Sequence, residues 1–144
     1  MRAALSALLL TFASQAAAGC DNLCDKKWWR TATTADVQAE LDAGADVMAR
    51  DEKGYTPLHW ATTPANIQAL LAAGADVMAR NKYGYTPLHQ AARCLRCKPG
   101  VIQALLAAGA DAKAKNKFDK TPWDYAQENE KLKGTKGYWA LVVP

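Results

Sequence analysis

Residues 56–61 read TPLHWA, and residues 86–91 read TPLHQA. The threonine that opens each copy is a favourable helix N-cap, and proline at the first helical position loses no hydrogen bond. Both copies therefore predict the start of a short helix. A degenerate third copy, TPWD, follows at residues 121–124.

The similarity between these segments extends over most of the chain. A shift of 30 residues places Ala35–Ala61 on Ala65–Ala91 without a gap, with 19 of 27 residues identical. A further shift of 35 residues places Ile67–Asp76 on Ile102–Asp111, residue for residue. A period of 30 to 35 residues is typical of a solenoid, in which each unit buries its apolar face only against its neighbours.

Each period contains a second helix and a polar turn. The second helix begins at Thr63 and Pro64 in one unit and near Pro99 in the next, where the inserted segment CLRCKPG precedes it. Glycine tolerates the left-handed conformation that often ends a helix. The glycines in that position are Gly44, Gly74 and Gly109. The polar runs 46–55 and 76–85 then predict projecting turns.

The two TPLH motifs, together with GADVMAR after the second helix, closely resemble the ankyrin repeat. This resemblance implies an all-α solenoid of stacked helix-turn-helix units with projecting β-hairpin-like turns. It covers nearly all of residues 19–144, which we divide into about four units. The units are an N-terminal cap at 20–50, two repeats at 51–80 and 81–115, and a C-terminal cap at 116–144.

Several positions depart from the ankyrin pattern. Met48 and Met78 stand where the family usually has asparagine, so we expect the turns to lose a side-chain hydrogen bond and gain an apolar contact. Asp119 replaces the turn glycine at some conformational cost. In the caps, Trp28 aligns with the core residue Leu58. We also expect an apolar last helix containing Tyr138, Trp139, Leu141 and Val142.

The first 18 residues predict a secretory signal peptide. Arg2 supplies a positive start, residues 3–13 are apolar, and Ala16 and Ala18 are the small residues expected before a cleavage site. A buried apolar helix and a lipoprotein signal with a lipid anchor at Cys20 are the alternatives. We therefore expect a periplasmic or secreted protein. No run of about 18 apolar residues is present to span a membrane.

Export changes how the four cysteines are interpreted. Cys20, Cys24, Cys94 and Cys97 would enter an oxidising compartment, where disulfides are the default. The short spacings favour two local pairs, with Cys94 and Cys97 at helical spacing. A zinc site is the alternative, and it would need both pairs at one point.

Catalysis is not expected. The resemblance implies that His59 and His89 are structural and bond to the backbone of the adjacent unit, and no zinc-protease or serine-hydrolase motif accompanies them. The alternative function is a thiol-disulfide redox protein using Cys94 and Cys97, whose basic neighbours would stabilise a thiolate. A disulfide that staples an inserted loop is the simpler interpretation. We predict no enzyme activity, cofactor or metal site.

Protein binding is the function that the resemblance implies, through the turn tips and the first helix of each unit. At the tips, the candidate residues are Arg50, Glu52, Lys53, Arg80, Lys82, Tyr83, Lys115, Lys117 and Phe118. On the first helices they are Trp60, Gln90 and Tyr125. For Tyr55, Tyr85 and Trp60, packing between repeats is an alternative role.

Charge is distributed unevenly along the chain. Residues 21–52 carry four basic and eight acidic side chains, whereas residues 93–120 carry seven basic and two acidic ones. A partner with an acidic surface that docks near the third turn would therefore associate faster. Nucleic acid is not expected as a partner, because no aromatic stacking module is present.

Overall fold

A computed structural model describes residues 22–142, which form seven α-helices and two short 3₁₀ turns. The 3₁₀ turns are Asn22–Cys24 and Trp28–Arg30. The helices are α1 (Thr34–Asp42), α2 (Pro57–Trp60), α3 (Pro64–Ala72), α4 (Pro87–Arg93), α5 (Val101–Ala107), α6 (Pro122–Ala126) and α7 (Lys136–Ala140). The predicted all-α solenoid is confirmed. The projecting turns within this range contain no strand residues.

The helices form two rows. Helix α4 packs against α2 and α6 in the first row, while α3 and α5 pack between α1 and α7 in the second. The buried side chains of the core include Leu58, Ile67, Leu70, Leu88, Ile102 and Leu105. Because these residues come from successive units, burial of apolar surface depends on stacking of neighbours.

The TPLH motif is a capping box closed by histidine. In the second copy, the Thr86 hydroxyl accepts from the backbone N–H of His89 at 3.4 Å, and Nδ1 of His89 accepts from the backbone N–H of Thr86 at 3.2 Å. The same reciprocal arrangement is present at Thr56 and His59. Each histidine thus accepts a hydrogen bond through Nδ1 at the N-terminus of its own helix. Its Nε2 atom is available to bond to the next unit.

The turn tips are fixed by one acceptor side chain each. An Oδ1 atom accepts two backbone N–H groups at 2.8 to 3.1 Å in every tip. The acceptor residues are Asp51, Asn81 and Asn116. Gly84 has φ +78°, and a Cβ there would lie 3.0 Å from the backbone nitrogen of Lys117. Glycine therefore allows neighbouring tips to approach closely.

The methionine turns differ from the prediction. The sulfur of Met48 lies 3.3 Å from the backbone nitrogen of Asp76, and that of Met78 lies 3.3 Å from the backbone nitrogen of Asp111. The expected loss of a side-chain hydrogen bond is therefore wrong, because the thioether accepts one weakly from the next unit. Asp119 does adopt the left-handed conformation, with φ 60°.

The structure also differs from the sequence prediction at both caps. Trp29, at 4% exposure, is the buried tryptophan of the N-terminal cap, and Trp28 is only partly buried. Helix α7 ends at Ala140, and its Trp139 is 62% exposed. The last helix is therefore not apolar all round. Leu141 follows it and is buried, whereas Val142 is exposed.

The inserted segment forms a loop between α4 and α5. Cys94 has an extended backbone, so the helical spacing assumed for the two cysteines is wrong. Their Cα atoms are nevertheless 5.5 Å apart, and the sulfurs are bonded. The preceding unit has no such insertion, and α2 is only four residues long.

The predicted signal peptide at residues 1–18 and Cys20 lie outside the described residues, as does the proposed Cys20–Cys24 pairing. Cys24 itself is buried. Every helix within residues 22–142 is too short or too polar to cross a bilayer.

Candidate partner-binding groove

A concavity of about 500 Å³ lies between the turn tips and the first row of helices. We call it the tip groove. Its lining residues are Lys26, Asp51, Glu52, Lys53, Tyr55, Trp60, Tyr83, Gln90 and Arg93. Five of the residues predicted to bind a partner are in this set: Glu52, Lys53, Trp60, Tyr83 and Gln90.

The histidines hold neighbouring units together beneath this groove. Nε2 of His59 lies 2.9 Å from the carbonyl oxygen of Tyr85, and Nε2 of His89 lies 3.0 Å from that of Lys120. A neutral ring with Nε2–H donating to the carbonyl fits this geometry. Burial lowers the pKa of His59 to about 4 and also lowers the pKa of His89. The structural role implied by the resemblance therefore has a specific bonding partner in each case.

Aromatic rings form the floor of the groove. The rings of Tyr55 and Trp60 are 4.6 Å apart between centroids, and Tyr83 is 40% exposed at the tip. The indole N–H of Trp60 and the side-chain oxygen of Gln90 are buried and have no hydrogen-bond partner within residues 22–142. Two residues that line the groove thus each hold a buried polar atom without a partner in this part of the chain.

Cations surround this floor. The Lys26 amino group lies 5.5 Å from the Trp60 ring centroid. The Arg93 guanidinium stacks on two tyrosines, at 5.1 Å from the Tyr85 ring and 5.3 Å from the Tyr125 ring. Cations held over aromatic faces keep their charge while losing little freedom on binding a partner.

Tyr85 and Tyr125 lie behind the groove lining and contact Arg93, which is one of the lining residues. Tyr85 is only 8% exposed, and its hydroxyl is 2.7 Å from that of Tyr125. The amide of Asn116 donates to the Tyr125 hydroxyl at 2.9 Å. Burial, followed by the hydrogen bond to Tyr125, raises the pKa of Tyr85 to about 12. For Tyr85, the structure supports the packing alternative.

Two of the predicted tip residues make structural contacts. Arg50 donates to the carbonyls of Gly54 at 3.0 Å and Arg80 at 2.7 Å. Arg80 repeats this in the next unit, donating to Gly84 at 3.2 Å and Lys115 at 2.8 Å. Each arginine therefore links its own tip to the following one. Partner binding by these residues stays a prediction.

The remaining predicted residues lie outside the tip groove. Lys82, Lys115, Lys117 and Phe118 are exposed on the second and third tips. Lys115 forms an ion pair with Asp119 at 2.9 Å. The tips form one row that continues from the groove, because the backbone of each tip bonds to that of the preceding one. The Lys82 N–H donates to the carbonyl of Lys53, and the Lys117 N–H donates to that of Tyr83, both at 3.0 Å.

Sequence reasoning missed three lining residues. Lys26 lies before the first recognisable repeat, so no alignment assigned it to a surface. Arg93 precedes Cys94 in the sequence, but its guanidinium faces the tyrosines. Asp51 is not among the predicted binding residues, although its role as the turn acceptor follows from alignment with Asn81.

Metal ligation and the cysteine pair are the other chemistry that the sequence raised. Within residues 22–142, no three His, Cys, Asp or Glu side chains are grouped closely enough to hold a metal ion. Cys94 and Cys97 are partly buried and bonded to each other in a loop.

Comparison with known proteins agrees with this architecture. The profile described as "Ankyrin repeats (3 copies)" matches residues 32–116. The chain belongs to the ankyrin repeat family. Members of this family generally mediate protein–protein interactions. A search of curated proteins finds no matching relative.

Proposed function

We propose that the tip groove is the docking surface for a partner protein in the periplasm or the secreted space. The proposal includes residues 1–18 as a cleaved leader and residues 19–144 as an array of about four units. It assigns no catalytic step to this chain.

One observation carries the proposal. Trp60 and Gln90 both line this groove, and within residues 22–142 the buried indole N–H of the first and the buried side-chain oxygen of the second have no hydrogen-bond partner. A buried polar atom without a hydrogen bond costs about 1 to 3 kcal/mol, which a partner can recover. A protein backbone offers both a carbonyl acceptor and an N–H donor, so it can bond to these two atoms once the side chains rotate to expose them.

Exposed aromatic and basic residues strengthen this interpretation. Tyr83 lies at the rim, and Lys53 and Arg93 are on the same surface. Tyrosine, tryptophan and arginine are the residues that most often dominate interface energies. The three basic lining residues outnumber the two acidic ones, Asp51 and Glu52, so the groove favours a partner segment in which carboxylates exceed basic groups.

Site-specific photocrosslinking in the native host tests the docking surface. A photoreactive phenylalanine analogue replaces Tyr83 in one variant and Gln38, an exposed residue of α1 that lines neither concavity, in the other. We expect a discrete protein adduct from position 83 only. Equal adducts from both positions, or an adduct from position 38 alone, would reject the tip groove as the docking surface.

The redox alternative is not favoured, because no feature of the described loop activates a thiol beyond its basic neighbours. An insulin-reduction assay with dithiothreitol tests it. We expect the protein and its Cys94→Ser variant to show the same background rate. A faster rate that the substitution abolishes would establish exchange chemistry at this pair.

A further inference from the structure

A second, larger concavity lies at the opposite end of the helices from the turn tips. It has a volume of about 830 Å³ and is bounded by the loop 94–100, the start of α5 and the start of α7. We call it the loop groove. None of the described residues lines both grooves.

The walls of the loop groove are apolar and its charged residues are all basic. Leu132, which is partly buried, contributes apolar surface, whereas Val101 and Ile102 belong to the core beside the groove and are only 2% and 3% exposed. The lining cations are Lys98, Lys131 and Lys136, and the described lining contains no aspartate or glutamate. Leu95, which is 59% exposed, also belongs to the lining. An apolar cleft with only positive charge around it is complementary to an acidic and apolar ligand.

A hydrogen-bond acceptor lies in the wall of the same cleft. Gln103 lines the groove, and its buried side-chain oxygen has no partner among the described residues. This oxygen would lie 3.6 Å from a Cβ at Gly137, so the groove wall is in close contact with α7. A ligand that supplies an N–H can satisfy this acceptor after a small rotation of the side chain, whereas an ionised fatty acid supplies no donor.

The loop that forms one wall is held at both ends. The Lys98 N–H donates to the carbonyl of Thr62 at 2.8 Å in the preceding unit. On the other side, the amide of Asn129 donates to the carbonyls of Ala92 at 2.9 Å and Cys94 at 3.3 Å. The Cys94–Cys97 disulfide closes the segment between these attachments. The wall is therefore preorganised, which reduces the entropy lost on binding.

We propose that the loop groove binds an extended peptide segment with apolar side chains flanked by carboxylates. The apolar side chains occupy the cleft beside Leu95 and Leu132, and the carboxylates face the lysines. A backbone N–H of the peptide donates to Gln103. This site is separate from the tip groove, so the protein has two docking surfaces and can bring two polypeptide segments together.

NMR titration of the ¹⁵N-labelled mature protein tests this site. The probe is a blocked peptide of two leucines flanked by aspartates (DDLLDD), and the matched peptides are KKLLKK and DDSSDD. We expect DDLLDD alone to shift the backbone amides of Leu95 and Gly137 and the side-chain amide of Gln103. Its affinity should fall with salt, because the ionic contacts are screened.

Charge-reversal variants distinguish binding at the loop groove from nonspecific electrostatic attraction to the whole protein. The double variant Lys131→Glu and Lys136→Glu should weaken binding about tenfold or more, equivalent to about 1.4 kcal/mol. The double variant Lys27→Glu and Arg30→Glu makes the same charge change at the other end of the chain and should retain the affinity. Both folds are checked by their amide spectra.

Three results would overturn the proposal. These are no shifts with DDLLDD at millimolar concentration, shifts confined to the tip groove, and equal weakening by the two double variants. Dodecanoate serves as the lipid probe. If it shifts the loop-groove amides and DDLLDD does not, the site takes an anionic amphiphile and the peptide assignment is wrong.

Discussion

At the residue scale, one histidine in each TPLH motif connects two levels of structure. His59 closes the capping box of its own helix and bonds through Nε2 to Tyr85 of the following unit. Protonation would place a charge in a buried site, and Nδ1 would no longer accept from the Thr56 backbone. The ring therefore has to stay neutral for the units to stack.

This requirement predicts acid destabilisation in a defined pH window. The pKa of His59 is about 4 in the folded protein and about 6.5 in an unfolded chain. Because the unfolded state takes up the proton first, stability falls as pH drops from about 6.5 toward 4. We expect His59 alone to lower the free energy of unfolding by about 2 kcal/mol between pH 7.5 and pH 5. Urea unfolding at several pH values measures it.

The His59→Gln variant is the control, since it should show a flatter profile over this window. Asp36 and Asp124 have lowered pKa values because they accept hydrogen bonds from Thr33 and Thr121. Their stabilisation is lost only below the ordinary aspartate range, so it does not overlap with the histidine effect. A profile that is flat from pH 7.5 to 5 in the unmodified protein would contradict a neutral His59.

Arg80 provides a second residue-scale prediction. Its guanidinium donates to two tip carbonyls in successive units, so Arg80→Ala should reduce the free energy of unfolding by about 1 kcal/mol. Chemical denaturation measures this, with Arg96→Ala, an exposed loop arginine, as the control. If Arg80→Ala instead leaves stability unchanged and weakens partner binding, the arginine is a contact residue as the ankyrin resemblance implies.

At the element scale, the third turn shows two opposing local effects. Asp119 adopts φ 60°, where glycine is less strained, but its carboxylate pairs with Lys115. The ion pair is exposed and contributes only a few tenths of a kcal/mol. Asp119→Gly should therefore stabilise the protein by about 0.5 kcal/mol.

Denaturant midpoints measure this change. Asp119→Asn is the matched control, because asparagine tolerates the left-handed conformation and removes only the ion pair. It should be neutral or slightly destabilising. Because both variants remove the ion pair, a glycine variant that is no more stable than the asparagine variant would show that glycine relieves no backbone strain at this position.

Helix starts and repeat spacing were predictable from sequence because they depend on local signals. Thr63 caps α3, and α5 begins at Val101, close to the expected Pro99. Tertiary packing decided the features that were missed. The choice of Trp29 over Trp28 for burial depends on a 3₁₀ turn that the repeat alignment does not contain, and the course of the loop after Arg93 depends on contacts with Asn129.

The part of the tip groove that depends on the repeat period was also predictable from the sequence. The period places Glu52, Trp60 and Tyr83 on one surface, and the structure brings them to one groove. Residues outside the repeat units that contribute to the grooves could not be predicted from the repeat pattern. Lys26 comes from the N-terminal cap, and the loop groove requires α7 to pack next to the inserted loop.

At the scale of the whole molecule, the stacked units form a continuous body with the tip groove at one end of its helices and the loop groove at the other. The tip groove combines aromatic rings with cations, and the loop groove combines apolar walls with lysines. In the described part of the chain, each groove also contains a buried polar atom without a partner. These features are consistent with a scaffold that acts by binding.

The affinity for the partner captured at position 83 tests the central claim most directly. Isothermal titration calorimetry compares the purified protein with its Tyr83→Ala and Trp139→Ala variants. Loss of an interface anchor costs about 1 to 2 kcal/mol or more, so Tyr83→Ala should weaken binding about tenfold while Trp139→Ala leaves it unchanged. Unchanged binding by Tyr83→Ala, whatever the effect of Trp139→Ala, would contradict the assignment of the tip groove.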